Sequence, residues 1–353
     1  MLEELQKRKQ NLKKVEKPKL VKPISDLLTD SGRKEAQKQV LAVNVEKWMP
    51  KLEEKNLTFQ TKLCPITHEE AELIIQGCQE VQKQGFISEE THEKLLGMKE
   101  KINKTILQVK GAKENGVFVK LSSRSPKDSV HTVPDYKERY ISNLKEFLSK
   151  SNLTKPDENL KLMAIVQTSK DSMKVRNAEE AIHLLTHSKR IHMDLDIALK
   201  QEQDVIENFV FREWQEIDVD MEFRGFVYNS NLNAVSQYFQ YFSSPLLVEK
   251  KEEVSQKILD FFENKIKPSL SKDFKNYVVD FAFNKENIPF VIELNAFDFS
   301  DCCLFSYAKE KHILQNGPYE FRITEKPQKG AKSQLDESVK SVIDLVDQEN
   351  IFN

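Results

Sequence analysis

The chain has 353 residues, is 39% hydrophobic and 31% charged, and carries a formal net charge of -2. That composition suits one large α/β unit or two modest lobes with a real core. It excludes a global field that would steer the chain to nucleic acid and leaves only local patches for phosphate. There is no leading apolar run like a signal peptide, and no run of about 18 apolar residues that would span a bilayer. A cytoplasmic chain with no membrane insertion and no direct nucleic-acid binding is therefore expected. Cys64, Cys78, Cys302 and Cys303 show no metal-ligand spacing and read as reduced thiols.

The first 24 residues are rich in lysine, and two readings stand: a basic arm that touches a partner, or a solvated terminus. Residues 33–48 predict a helix stopped by Pro50. Leu57–Leu63 alternates like a strand, and Thr67 with Glu70 forms a capping box for a helix ending near Gly77. A short helix is expected at Glu89–Met98 and a strand at Gly116–Leu121, running into the polar loop Ser122–Ser129. Residues 137–160 read as helix then loop, Leu162–Val166 as a strand, Ala178–Lys189 as a helix opened by Asn177, and Val205–Trp214 as a strand with a connector. Glu222–Tyr228 turns at Asn229–Asn231 into Leu232–Tyr238, a hairpin pattern. Glu252–Ile266 predicts a helix closed by Pro268. Tyr277–Phe283 and Phe290–Asn295 predict a last hairpin. Leu335, Val339, Val342 and Val346 form a helical stripe expected to dock on the parent domain, with a partner surface as the alternative. Fifteen of the 21 phenylalanines lie between Phe209 and Phe305, which marks the densest core. There is no internal repeat. Strands outnumber the crossover helices of a doubly wound sheet, so the fold class expected is α+β, with antiparallel or mixed sheets and a ligand cleft between two lobes.

The last hairpin carries the sharpest chemical signal. Asp280, Glu293 and Asn295 are oxygen-bearing side chains inside strands otherwise fit for burial, and a buried carboxylate needs a counter-charge. Glu293 and Asn295 share a strand face, Leu294 points away, and the hairpin brings Asp280 across from Glu293. Magnesium suits such a donor set; ion pairs with lysines at a sheet edge are the alternative. Lys120, at the end of an apolar strand, is placed to meet polyphosphate as a point charge, with Ser122 and Ser123 along the phosphate tail. There is no Gly-rich Walker sequence. Arg224 offers a fork for phosphate, or an ion pair with a neighbouring acid. His183 and His187 lie four apart with His192 following, but no carboxylate completes a metal set, and a structural role is expected. No serine-histidine-acid arrangement is seen, and Cys64 lacks a base.

Together these segments resemble the cell division cycle protein 123 family, which has an ATP-grasp fold. Val117–Leu121 followed by Ser125-Pro126-Lys127-Asp128 looks like the family's phosphate-side strand and loop. Ser172–Val175 resembles its middle segment, Phe211–Trp214 its interlobe connector, and Glu222–Val227 its glutamate-phenylalanine-arginine strand. Asp280 with Ile292–Asn295 resembles its magnesium-binding hairpin, and Trp48 and Pro50 fit its amino-terminal segment. The similarity covers roughly residues 43–323.

The resemblance implies ATP and Mg2+ between two α+β lobes. Lys120 and Arg224 would meet phosphate, the backbone of Val210, Phe211, Arg212 and Glu213 the adenine edge, and Asp280, Glu293 and Asn295 magnesium. It implies lobes at 43–208 and 209–323; outside them the residues read as a basic helical arm at 1–42 and a connection with a terminal helix at 324–353. Three departures stand out. Glu293 sits where the family usually has aspartate, Glu213 where lysine is common, and residues 129–171 look longer than the family segment, as an insertion would. The function implied is an ATP-binding assembly chaperone for eukaryotic translation initiation factor two, with the factor's gamma subunit as partner. An ATP-grasp ligase that activates a carboxylate as an acyl phosphate, or a nonenzymatic interaction protein that keeps the fold, are the alternatives.

Overall fold

Two facing sheets organise the chain, and side-chain alternation along their strands explains both. The structure, a computed structural model, describes residues 39–200 and 207–352; the basic arm expected at the amino terminus falls almost wholly outside them. In the first sheet the order is β1 (Thr61–Ile66), β4 (Glu207–Glu213), β2 (Val117–Leu121), β3 (Lys174–Val175), all antiparallel. On β2, Val117, Val119 and Leu121 point into a core with Phe209 and Phe211 of β4. Lys120 and Phe118 therefore take the opposite face, which fronts the second sheet.

Helices α1 (Val45–Glu53), α2 (His68–Gln84), α3 (Glu89–Leu96) and α4 (Lys99–Ile106) precede β2. Helices α2 to α4 cover the outer face of the first sheet together with α7 (Ala178–Thr186) and α8 (Lys189–Ala198). The Thr67/Glu70 capping box forms as expected. Gly77 does not end α2. The helix runs on to Gln84, and Gly85 caps it at φ +87°. A Cβ on Gly77 would lie 3.1 Å from Thr186 Cγ2, so this glycine serves the close approach of α7. Pro50 also fails to stop its helix. The helix breaks at residues 43–44 and restarts as α1, which carries Pro50 inside because Trp48, Met49 and Leu52 are buried in the core of the second sheet.

The second sheet has the order β8 (Pro289–Asn295), β7 (Tyr277–Phe283), β5 (Glu222–Tyr228), β6 (Asn231–Gln237), β9 (Glu320–Arg322). Its pairings are antiparallel except β6 with β9. Phe223, Val279, Phe281 and Val291 face α1 and α9 (Lys251–Phe261). Phe226 and Val278, on the other face, pack under α10 (Tyr307–Asn316). The helix begun by α9 continues past Pro268 to Leu270 through a π-turn at Phe262–Ile266, a register change that accommodates the missing N–H. The α+β class with antiparallel or mixed sheets is the fold observed.

Residues expected as a strand at Leu162–Val166 are helical. Helices α5 (Tyr136–Ser149) and α6 (Glu158–Asp171) pack as a pair, and α11 (Glu337–Gln348) docks on them. Tyr136, Tyr140, Leu162, Ile165, Ile343 and Val346 share this third core. Leu, Ile and Val in a short apolar run do not tell strand from helix, and burial on this helix pair decided it. The boundary drawn between 208 and 209 falls inside β4, which belongs to the first sheet while sending Val210 into the second core.

Candidate functional site

On the face of the second sheet that fronts β2, antiparallel register sets three charged residues side by side. Arg224 of β5 pairs with Asp280 of β7, and Asp280 with Glu293 of β8. A β-bulge follows Asp280, so that Phe281 pairs with Val291 and Ile292 is the extra residue. The bulge aims Glu293 and Asn295 at the cleft and sends Leu294 into the core.

The carboxylates are neutralised separately. Arg224 grips Asp280 with two parallel bonds, Nε to Oδ1 and Nη2 to Oδ2, each 2.8 Å, and its Nη1 donates to the Asp301 carbonyl at 3.0 Å. Lys120, reaching over from the first sheet, donates from Nζ to Glu293 Oε2 at 2.9 Å. Asp280, Arg224 and Lys120 are 1%, 4% and 3% exposed. Burial pushes the Asp280 carboxyl up to about 6, against the pull of Arg224. Burial also works to raise Glu293, but Lys120 and Lys127 outweigh it and hold that carboxyl well below the usual range.

Asn295 bridges the two acids. Its Nδ2 lies 3.0 Å from Asp280 Oδ2 and 3.4 Å from Glu293 Oε1. An amide N–H thus sits where a cation shared by both carboxylates would, and turning the amide presents its oxygen instead. Two carboxylates and one amide oxygen suit a hard cation that completes its shell with phosphate and water. Among the described residues, no three His, Cys, Asp or Glu side chains gather as a metal cluster.

Beside this row opens a cleft of ≈ 270 Å³ whose lining includes Phe118, Lys127, Met173, Ile217, Tyr238 and Glu293. The connector from Glu213 through Trp214, Gln215 and Glu216 to Ile217 forms one wall, and Ile165–Asp171 of α6 another. Lys127 donates to Tyr238 Oη at 2.5 Å, and Arg224 lies over the Tyr238 ring, 4.7 Å from its centroid. Lys170 pairs with Glu222 at 3.3 Å. On the connector, Trp214 is covered by Lys174 at 4.5 Å from the ring centroid and donates to Glu216 Oε1.

Lys120, Arg224, Asp280, Glu293 and Asn295 therefore converge, and Glu213 lines the cleft beside them, but Ser122, Val210, Phe211 and Arg212 do not join them. Ser122 is turned away, with its hydroxyl bonded to Asn208 Nδ2 at 3.0 Å and its N–H to the Asn208 carbonyl. The backbone of Val210, Phe211 and Arg212 cannot meet an adenine edge, because β4 lies between β1 and β2 and pairs with both. The Arg212 side chain is also committed: Nε donates to Thr61 Oγ1 at 3.1 Å, Nη2 to Thr58 Oγ1 at 2.9 Å, and Nη1 to the Ile292 carbonyl at the bulge. With Phe59 stacked 3.7 Å away, it ties the two sheets together. Arg224, read as a phosphate fork or an ion pair, takes the second role here.

Lys127, Lys170, Tyr238 and the connector after Glu213 were not chosen as site residues from sequence. Lys127 had a signal in its Ser-Pro-Lys-Asp loop; Tyr238 and Lys170 had none, since tertiary packing alone brings them to the cleft. His183 and His187 stack on each other at 4.0 Å, and His183 bonds Thr132, a structural pair as expected. All four cysteines are free. No helix among the described residues is long and apolar enough to cross a membrane.

Comparison with known proteins gives a consistent picture. The D123 family model matches residues 137–348, so its match begins within the segment expected as an insertion. A Candida albicans protein named translation initiation factor eIF2 assembly protein is 27% identical over 240 residues, 65% of this chain and 58% of that protein. The match therefore spans less than two thirds of that relative's length. A CDC123-like protein of Acanthamoeba polyphaga mimivirus is 28% identical over 306 residues, 82% of this chain and 77% of that protein. The solved structure of Cdc123 from Schizosaccharomyces pombe shares the fold at a TM-score of 0.55 and 19% identity, covering 81% of this chain and 97% of that one.

Proposed function

Because the chain belongs to the D123 family, we propose that it binds ATP with magnesium between its two sheets and acts in the cytoplasm as an assembly factor for eukaryotic translation initiation factor two. The observation that carries the nucleotide reading is the buried row Arg224–Asp280–Glu293, met from the facing sheet by Lys120 at 2.9 Å, beside a cleft walled by an interlobe connector. Structural ion pairs alone do not need two acids, an amide and a lysine from another sheet focused at the rim of an open cleft.

In this reading Asp280, Glu293 and Asn295 hold magnesium, which when bound supplies positive charge to the phosphate tail. Lys120 is the point charge for phosphate. Arg224 positions Asp280 and keeps it ionised at neutral pH. The connector Trp214–Ile217, free of sheet pairing, offers its backbone to the base, and Phe118, Met173 and Ile217 supply apolar walls for the adenine ring. Binding between the sheets fixes how they stand to each other, and so a docking face, without any phosphoryl acceptor.

The partner reading rests on the name of the Candida relative and on the family resemblance, which points to the gamma subunit. A native pull-down with the full chain as bait is expected to recover that subunit. If the chain binds Mg·ATP yet retains no subunit of the factor at adequate protein levels, the partner assignment fails and the nucleotide assignment stands.

A further inference from the structure

Two cations at the β2-loop and α8 side of the cleft have no carboxylate of their own. Lys120 is paired with Glu293, Arg224 with Asp280, Lys170 with Glu222, and Arg124 with Asp194. Among the described residues, Lys127 and Arg190 have no such carboxylate. Lys127 has the Tyr238 hydroxyl. Arg190 has less: its Nε is buried without any hydrogen-bond partner. An unpaired buried donor on a cation is costly, and a protein keeps one where a ligand completes it.

The backbone of Arg190 is held firmly. Asp128, next to Lys127, accepts the Ser188 hydroxyl at 2.5 Å and the Arg190 N–H at 3.2 Å, which pins the start of α8 to the loop that follows β2. Asp128 thus spends its hydrogen bonds on the start of α8 and bonds no side-chain nitrogen of Arg190. The Arg190 carbonyl accepts Arg124 Nη2 at 3.4 Å. Asp128 follows Lys127, which lines the cleft, so this anchor holds Arg190 beside it; the charges of Tyr238, Asp128 and Glu293 act on its guanidinium, which is in turn the strongest like-charge influence on Lys127.

We infer that Arg190 is a phosphate ligand of this chain, closing the polyphosphate of a nucleoside triphosphate against Lys127 and Lys120 from the α8 side of the cleft. The inference rests on the nucleotide reading above and adds a residue to it. The fork of an arginine reaches two phosphate oxygens where a lysine reaches one.

The test uses the full chain, native and as Arg190→Gln and Arg190→Lys, titrated calorimetrically with Mg·ATP and with adenosine. Arg190→Gln is expected to weaken Mg·ATP by about tenfold or more, equal to about 1.4 kcal/mol, with adenosine affinity within about twofold of native. Arg190→Lys is expected to fall between. Melting of ligand-free Arg190→Gln is expected at or above the native temperature, because a cation with an unsatisfied buried donor has been removed. Mg·ATP affinity within about twofold of native in Arg190→Gln overturns the inference while the nucleotide reading stands. Equal losses for Mg·ATP and adenosine overturn it as well, since they mark a distorted cleft. A native chain that binds no ATP fells the nucleotide reading and this inference together.

Discussion

Replacing Arg224 with methionine removes three donors, two to Asp280 at 2.8 Å and one to the Asp301 carbonyl at 3.0 Å. Asp280, 1% exposed, then keeps only the Asn295 amide and stands beside Glu293. Two unit charges about 4 Å apart attract by about 4 kcal/mol at an effective dielectric of about 20, and breaking one side of a buried pair costs about 3–5 kcal/mol. At about 2 °C per kcal/mol for a unit of this size, Arg224→Met should lower the melting temperature by about 6–10 °C at pH 7.5. Asp280→Leu, which strands the guanidinium instead, should cost a similar amount. The double variant exchanges the pair for apolar groups and should lie well above the sum of the singles, with a coupling of at least about 3 kcal/mol. A pH signature accompanies this. Without Arg224, burial and Glu293 push the Asp280 carboxyl higher still, and in the native chain it is largely protonated by pH 5, so the deficit of Arg224→Met should shrink there. Scanning calorimetry of the four ligand-free chains at both pH values decides the matter. Additive losses in the double variant, or a deficit that does not change with pH, refute the assignment of Arg224 as the counter-charge of Asp280.

The same carboxyl, pushed up to about 6, should make Mg·ATP affinity fall with acidity. A cation needs the ionised form, so the contribution of Asp280 weakens about elevenfold at pH 5 and about 1.1-fold at pH 7, read as the difference between native and Asp280→Asn titrations. For the ligand-free fold the sign reverses: a raised carboxyl makes the fold more stable as pH drops from about 6 toward 4, whereas the depressed Glu293 carboxyl keeps its contribution until the pH falls below the usual carboxylate range. Arg212→Ala, which removes the donors to Thr61, Thr58 and the Ile292 carbonyl at the bulge, should cost about 3 kcal/mol or more through the acceptors left unsatisfied, and Arg212→Lys should not restore it. The shift in melting temperature given by Mg·ATP should persist in both variants, and its loss would speak for direct nucleotide contact. Gly225→Ala places a Cβ 2.8 Å from Phe281 Cε2 and 2.9 Å from Leu232 Cδ1, for which a cost of about 1–3 kcal/mol is expected in thermal melts. Relief by Phe281→Leu in the same chain is the check on that cause.

What the sequence discloses and what it hides follows from the range of the forces involved. The hairpin of Asp280 and Glu293 was legible because register on a two-residue period and the expense of buried charge are both local properties. Lys120 was legible as a charge at the end of an apolar strand, and the burial of Val117, Val119 and Leu121 then fixes its face. The connector was misplaced by a few residues because a strand at a sheet edge and a strand at its centre look alike in composition. Only the pairing of β4 on both sides shows that Val210–Arg212 has no backbone to offer. Arg212 itself gave no sign that its fork closes on Thr58, Thr61 and a bulge carbonyl far along the chain. Pro50 and Pro268 were read as stops by a local rule that burial of Trp48 and a π-turn at Phe262–Ile266 override. Arg190 sits in an unremarked amphipathic helix, and only its unsatisfied buried Nε in three dimensions marks it.

The central claim is that the Asp280, Glu293 and Asn295 face binds magnesium with ATP. Calorimetric titration of the full chain with ATP, with and without Mg2+, and of the Asp280→Ala chain with both, tests it most directly. The account predicts dissociation constants of about micromolar order for the native chain with Mg2+, and a marked loss both on omitting the metal and in the variant. Equal affinities for the native and Asp280→Ala chains, or an affinity indifferent to Mg2+, would contradict it.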